Sequence, residues 1–343
     1  MNTIYIIDLE SVETRYTSQW KWHLPKLIDK HLQDTDNTKY KVEVIEGSKD
    51  IPEATTPGAF LNFGGTNIYK SSQLIKIAEM FCNGTIQAGD KFLYTDAWNP
   101  SILQVKYMSE LLGVKVELHG ILHAGSYDPA DFLGRLIGDA KWVRNAEKAM
   151  LHSLDYVWVA TQFHKDLLES VFGKEEFNNV YVSGFPFEYL QDLISPDTKR
   201  DLILFPHRIA PEKQLHIFKQ LAELLPQYEW IVCQEQQLTK DQYHKLLGEA
   251  KIVFSANLQE TLGISMMEGA LAGAIPIVPD RLSYTEMYLP EFKYDSDASV
   301  EQMANKINTV MNNFDIYQNL LPNLVSRLNT FFKSDIMINK LIK

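Results

Sequence analysis

Short apolar runs alternate with amphipathic stretches through the first half of the chain. The runs at residues 4–8, 40–45, 59–63, 91–95, 115–119 and 155–160 predict strands. Residues 19–32, 70–83, 100–112, 135–153 and 162–172 carry their apolar positions at helical spacing. Such alternation predicts a parallel sheet covered by helices on both faces, with ligands collecting at the carboxyl ends of the strands. One more strand, near Val180, breaks at Gly184 and Pro186, and residues 195–200 read as a linker. The pattern then restarts with a strand at 202–205, a helix at 211–224 opened by Pro211, and a strand at 229–233. A helix at 239–249, a strand at 252–256, a helix at 262–271 and a strand at 275–278 follow, and 300–343 is helical by spacing.

The chain has 343 residues, too many for one ordinary domain and comfortable for two. A 45% apolar and 22% charged composition is that of a globular protein. No apolar run approaches the ~18 residues of a spanning helix, and the opening Met1-Asn-Thr-Ile-Tyr-Ile-Ile-Asp8 reads as a strand rather than a signal peptide. Cys82 and Cys233 lie far apart in apolar surroundings, so both are expected to be buried thiols in a reducing cytoplasm. The net charge of −11 counts against loose binding to a polyanion, though a local basic cleft remains compatible with it.

The chemistry concentrates in Phe254-Ser-Ala-Asn-Leu-Gln-Glu-Thr-Leu-Gly-Ile-Ser-Met-Met-Glu268. A strand there runs through a loop into a helix, whose free N–H groups and positive dipole end suit a phosphate. Glu260 and Glu268, with seven residues between them, flank that point as acceptors for hydroxyls. Upstream, Leu202-Ile-Leu-Phe-Pro-His-Arg208 followed by Pro211-Glu-Lys213 sets a planar fork and a mobile ammonium after another strand. An anion site beside diol acceptors describes a nucleotide-sugar pocket.

This ordered set, Arg208, Lys213, Glu260, Gly263 and Glu268, resembles the retaining glycosyltransferases of the GT-B fold that carry a Glu-seven-Glu motif. The resemblance implies an α/β protein of two Rossmann-like domains facing a cleft. It implies an acceptor-binding domain over 1–190, a reduced nucleotide-sugar domain over 191–313, and a final helix, 314–343, packing back on the first domain. Arg208 and Lys213 would hold the donor diphosphate, that of a UDP-sugar, with no metal and no other cofactor. Glu268 would accept from the ribose and Glu260 from the transferred hexose or pentose. The amides of Thr261, Leu262 and Gly263 would face the diphosphate or the sugar. In the first domain, His123 is similar to the family's donor-facing histidine, with His119 as its competitor. Gly64 and Gly65 read as a loop at a strand end, available to the donor.

The acceptor is less clearly marked. Glu13-Thr-Arg15-Tyr16-Thr-Ser-Gln-Trp20 mixes aromatics with a cation, and Lys141, Arg144 and Lys148 fall at helical spacing beside Trp142. Arg15, Tyr16, Trp20, Lys141 and Arg144 are therefore candidate contacts to nucleic acid through stacking and phosphate pairing. Phe205-Pro-His-Arg208 with Val278-Pro-Asp-Arg281 looks like the branch that glycosylates queuosine in transfer RNA, and the N-terminal half like bacteriophage glycosyltransferases. These likenesses imply sugar transfer to 5-hydroxymethylcytosine in phage DNA, in the host cytoplasm. A modified tRNA base, a glycan or a lipid-linked sugar is the alternative acceptor, and a non-catalytic binding protein of this fold is the reading from another class.

Overall fold

The structure, a computed structural model, describes residues 1–10, 16–52, 61–138 and 140–343, without the side chains of 16–18. The chain divides into two compact units, one of residues 1–159, 165–186 and 334–343, the other of 160–164 and 187–333.

The first unit opens with β1 (Asn2–Ile7), α1 (Tyr16–Asp34), β2 (Tyr40–Ile45), α2 (Phe63–Cys82), β3 (Lys91–Tyr94), α3 (Ser101–Leu111) and β4 (Glu117–Ile121). It continues through α4 (Phe132–Ile137), α5 (Lys141–Ser153), β5 (Tyr156–Val159), α6 (Gln162–Phe172, its first residues counted with the second unit) and β6 (Val180–Val182). Among the described residues these strands form one parallel sheet in the order β2-β1-β3-β4-β5-β6. Ile4, Tyr5, Ile6 and Ile7 are all buried, as expected for a strand covered on both faces. The order reverses at β1, and Ile7 pairs with Tyr94 and Tyr94 with Gly120, so the carboxyl ends of β1, β3 and β4 lie level.

The second unit contains α7 (Leu190–Leu193), β7 (Arg200–Phe205), α8 (Leu215–Leu224), β8 (Glu229–Val232), α9 (Lys240–Glu249), β9 (Ala250–Phe254), α10 (Ile264–Leu271) and β10 (Ile275–Pro279). The helix α11 (Tyr284–Met287), the strand β11 (Lys293–Tyr294) and the helices α12 (Val300–Asn312) and α13 (Phe314–Leu328) complete it. Its strands form a parallel sheet, β11-β10-β9-β7-β8. Only a four-residue 3-10 turn, Cys233–Gln236, and a short link lie between β8 and α9. Thr239 and Gln242 close a reciprocal capping box at the start of α9.

Several expectations change. Residues 59–63 are not a strand where they are described: Asn62 caps α2 by accepting from the Gly65 amide at 2.7 Å, and Phe63 is already helical. Gly64 and Gly65 therefore lie in the first turn of a helix, not in a loop; a Gly-Gly pair resembles a turn when the Asn before it is not weighed as a cap. β4 begins two residues later than expected, which leaves His119 in mid-strand, fully buried beside Glu117 at 2.7 Å, and places His123 just past the strand end. The helix expected at 135–153 is two helices, α4 and α5. Cys82 is exposed, at the last turn of α2, while Cys233 is buried. Of the tail, α13 packs on α10, α12 and β10 inside the second unit, and only α14 (Asp335–Leu341) belongs to the first, against α1.

Candidate active site

The carboxyl ends of β7 and β9 bring the segments bearing Arg208, Lys213 and Glu260 together. Ile203 pairs with Ile252, so the residues after Phe205 and those after Phe254 emerge side by side. After β7 the chain presents His207 and Arg208, then turns through a 3-10 segment, Pro211–Lys213, and a left-handed Gln214 into α8. After β9 the loop 255–263 leads into α10.

Lys213 is buried and reaches across this gap, donating to the Gln259 carbonyl at 2.8 Å and to Glu260 Oε2 at 3.1 Å. Asn257 Nδ2 donates to the same carboxylate oxygen at 3.2 Å, and the Leu262 amide lies 3.4 Å from Oε1. Burial alone would raise the Glu260 carboxyl, but the Lys213 ammonium outweighs it and holds the group below the ordinary carboxylate range. The Leu262 amide, expected to face the donor, is thus turned toward Glu260, and the Gly263 amide also supports that carboxylate. Arg208 donates to Glu212, which is buried, while a third of its own side chain stays exposed. Thr261 is buried and its carbonyl accepts from Thr161 Oγ1 at 2.9 Å.

Gly263 caps α10 in the left-handed region at φ 78, where a Cβ would stand 2.7 Å from Tyr284 Cε1. Only a residue without a side chain satisfies both conditions. The same Tyr284 hydroxyl lies 3.2 Å from Ser255 Oγ and from Asn257 Nδ2, so the ring fixes both ends of the loop.

Glu268, in the second turn of α10, is 4% exposed. Lys240 Nζ donates to its Oε1 and Tyr243 Oη to its Oε2, each at 2.9 Å, with His244 Nε2 at 3.8 Å from Oε1. Burial pushes this carboxyl up, and the His244 ring, Lys240 and Tyr243 together bring it below its usual value.

Sequence reasoning missed four of these residues. Arg281 donates to the carbonyls of Ala256 (2.7 Å), Asn257 (2.8 Å) and Ser296 (3.1 Å), tying the loop to the segment after β10. His207 is buried with Nδ1 at 3.1 Å from Ser265 Oγ, and burial with the nearby Lys213 drives it down to about 3, so it is neutral. Lys240 and Tyr243 stand on α9 at positions that look like an ordinary solvated helix face. Arg281 follows a strand end in Pro279-Asp-Arg281 and was the one with a readable signal.

The first unit holds its predicted residues differently. His123 Nε2 donates to the Thr95 carbonyl at 2.7 Å, and its ring packs on Trp20 and Phe185 at 5.3 Å from each. Burial lowers its pKa, which keeps the imidazole neutral. Trp20 is not an exposed wedge: it is 0% exposed and donates its indole N–H to the Pro186 carbonyl at 3.0 Å. An apolar ring on the inner face of an amphipathic helix is core before it is ligand. Arg144 is likewise turned inward, to Ser126 Oγ at 2.8 Å and to the buried Glu147 at 3.3 Å, and Lys148 pairs with Glu176 at 3.0 Å. Lys141 and Trp142 are exposed. Arg15 lies outside the described residues, and Tyr16 is described in its backbone alone.

Two units, each a parallel sheet between helices, define the GT-B glycosyltransferase fold, and solved structures agree along the whole chain. Sucrose-phosphate synthase from Thermosynechococcus elongatus superposes with a TM-score of 0.67 at 12% identity, over 99% of this chain and 97% of that one. Anabaena Alr3699/HepE in complex with UDP and glucose gives 0.64 at 14% identity, over 100% and 98%. The lipopolysaccharide outer core galactosyltransferase WaaB gives 0.60 at 12% identity, over 99% and 100%. No established family profile matches the chain. In sequence, it is 32% identical over 96 residues to the Drosophila melanogaster tRNA-queuosine alpha-mannosyltransferase. That stretch spans 28% of this chain and about a quarter (24%) of that protein.

Proposed function

We propose that the chain is a retaining glycosyltransferase that moves a sugar from a UDP-sugar to a hydroxyl on a modified nucleobase. The observation that carries the donor half is the gathering of Arg208, Lys213 and Glu260 around the neutral His207, at adjoining strand ends beside the opening of α10. Arg208 and Lys213 would neutralise the diphosphate and gain strength as negative charge builds on it during departure, so part of their effect belongs to the transition state. Glu268 would meet the ribose and Glu260 the transferred sugar. HepE, whose structure holds UDP and glucose, supports a uridine nucleotide as the first donor to try.

In the reaction proposed, the bond from the anomeric carbon to the phosphate oxygen breaks as the acceptor oxygen bonds the same face. The acceptor proton passes to the departing phosphate oxygen. Side-chain cations meet the charge of the leaving group, and no divalent ion enters the scheme.

A nucleobase acceptor is supported by the tRNA-queuosine alpha-mannosyltransferase among the relatives. With Trp20 and Arg144 turned inward, Lys141 and Trp142 on α5 are the exposed candidates among the described side chains of the first unit. The test incubates the protein with UDP-sugars and, in separate reactions, hydroxymethylcytosine DNA, bulk tRNA and a short glycan, then digests to nucleosides for mass spectrometry. A hexose or pentose mass on hydroxymethylcytosine supports the DNA form of the proposal, and one on a tRNA nucleoside the tRNA form. Transfer to the glycan alone would overturn the nucleobase reading and leave the glycosyltransferase.

A further inference from the structure

Glu268 is buried on α10, and the groups that satisfy it come from a different helix. Lys240 stands in the first turn of α9 and Tyr243 one turn on; each donates to a different oxygen of the same carboxylate. A carboxylate oxygen accepts along two directions. With one taken on each oxygen, each keeps capacity for one more, the His244 Nε2 at 3.8 Å from Oε1 lying beyond hydrogen-bond range. A vicinal diol can use such a pair, two acceptor oxygens on one planar group. Neither donor is needed for the cap of α9, whose capping box is closed by Thr239 and Gln242.

We infer that Lys240, seconded by Tyr243, is a positioning residue that orients Glu268 toward the 2′,3′-diol of a ribonucleoside diphosphate and so makes the site select ribose over deoxyribose. This rests on the reading of Glu268 as the ribose acceptor. Lys240 acts in two ways. Its ammonium compensates a carboxylate that has little water, and its single hydrogen bond on Oε1 sets the rotation of the plane. With the ammonium gone, a buried carboxylate tends to take up a proton and then offers an O–H where the diol requires an acceptor. The cost would fall on nucleotide affinity and on ribose selectivity. Turnover at saturating donor would change little, since ribose contacts are the same in ground and transition states.

The experiment titrates the full-length protein with uridine diphosphate and with its 2′,3′-dideoxy counterpart at neutral pH. The parent is expected to prefer the ribonucleotide by on the order of tenfold or more, the size of hydrogen bonds to a charged group. In Lys240→Met the preference should fall to roughly threefold or less, with thermal melts checking the fold. Lys240→Arg, which keeps the cation, should restore most of it, and Tyr243→Phe should give an intermediate ratio. A parent that binds no nucleoside diphosphate would overturn the donor-site reading itself. A selective parent whose Lys240→Met variant keeps the full ratio would overturn this inference alone, as would a parent that binds both nucleotides equally. If Lys240→Met does not fold, Lys240→Gln takes its place under the same criteria.

Discussion

Lys213→Met is expected to lower turnover by on the order of a hundredfold or more, the effect of removing a group that stabilises developing charge. Methionine keeps the stem that fills this buried position, so lost packing does not account for the result. The structure adds a second consequence. Lys213 is what holds the Glu260 carboxyl down against its own burial. Without it burial wins, the pKa rises, and Glu260 is ionised only at higher pH. The acid limb of the activity profile should therefore move upward in Lys213→Met. In the parent, with a depressed folded pKa, the ionised form persists until the pH falls below the ordinary glutamate range. The double variant Lys213→Met/Glu260→Gln should lose that limb without recovering rate. Steady-state rates from about pH 4 to 9 check this; an unshifted limb with parental turnover would mean the ion pair is structural.

Gly263→Ala should be the most damaging small substitution in the second unit. The left-handed backbone costs a β-carbon roughly 1–2 kcal/mol, and forcing it against the Tyr284 ring adds about 1–3 kcal/mol. Tyr284 also holds Ser255 and Asn257, so the loop bearing Glu260 has to shift to make room. Melting should fall by roughly 4–20 °C for a unit of this size, and activity further than that loss explains. Calorimetry beside a rate measurement at a temperature where the variant is folded checks it. Parental melting and parental rate would show that the ring gives way at no cost.

The alternation of strands and helices was legible because each strand is a short apolar run and each helix has one apolar stripe. Type survived better than boundary: β4 and α2 were misplaced where polar residues, Glu117 in the strand and Asn62 as a cap, carry the decisive contacts. The clustering of Arg208, Lys213, Glu260 and Glu268 was legible because each sits within a few residues of a strand end or a helix start. Their partners were not. Lys240 and Tyr243 come from a separate helix, and Arg281, though it follows a strand end, shows its partners only in the structure: α9 packs against α10, and β10 pairs with β9. Trp20 and Arg144 are held otherwise than their residue types suggest: Trp20 is buried with its indole N–H on the Pro186 carbonyl, and Arg144, partly exposed, pairs with Glu147.

On the reading proposed above, the ends of β7 and β9 form a site for a nucleoside diphosphate sugar. Isothermal titration with uridine, guanosine and adenosine diphosphates tests it most directly, on the parent and on Arg208→Ala and Lys213→Met. Saturable binding of at least one nucleotide is expected, uridine diphosphate first, weakened at least tenfold by either substitution, as for losing a charge-assisted contact. No binding of any of the three at millimolar concentration, or binding indifferent to both substitutions, would contradict it.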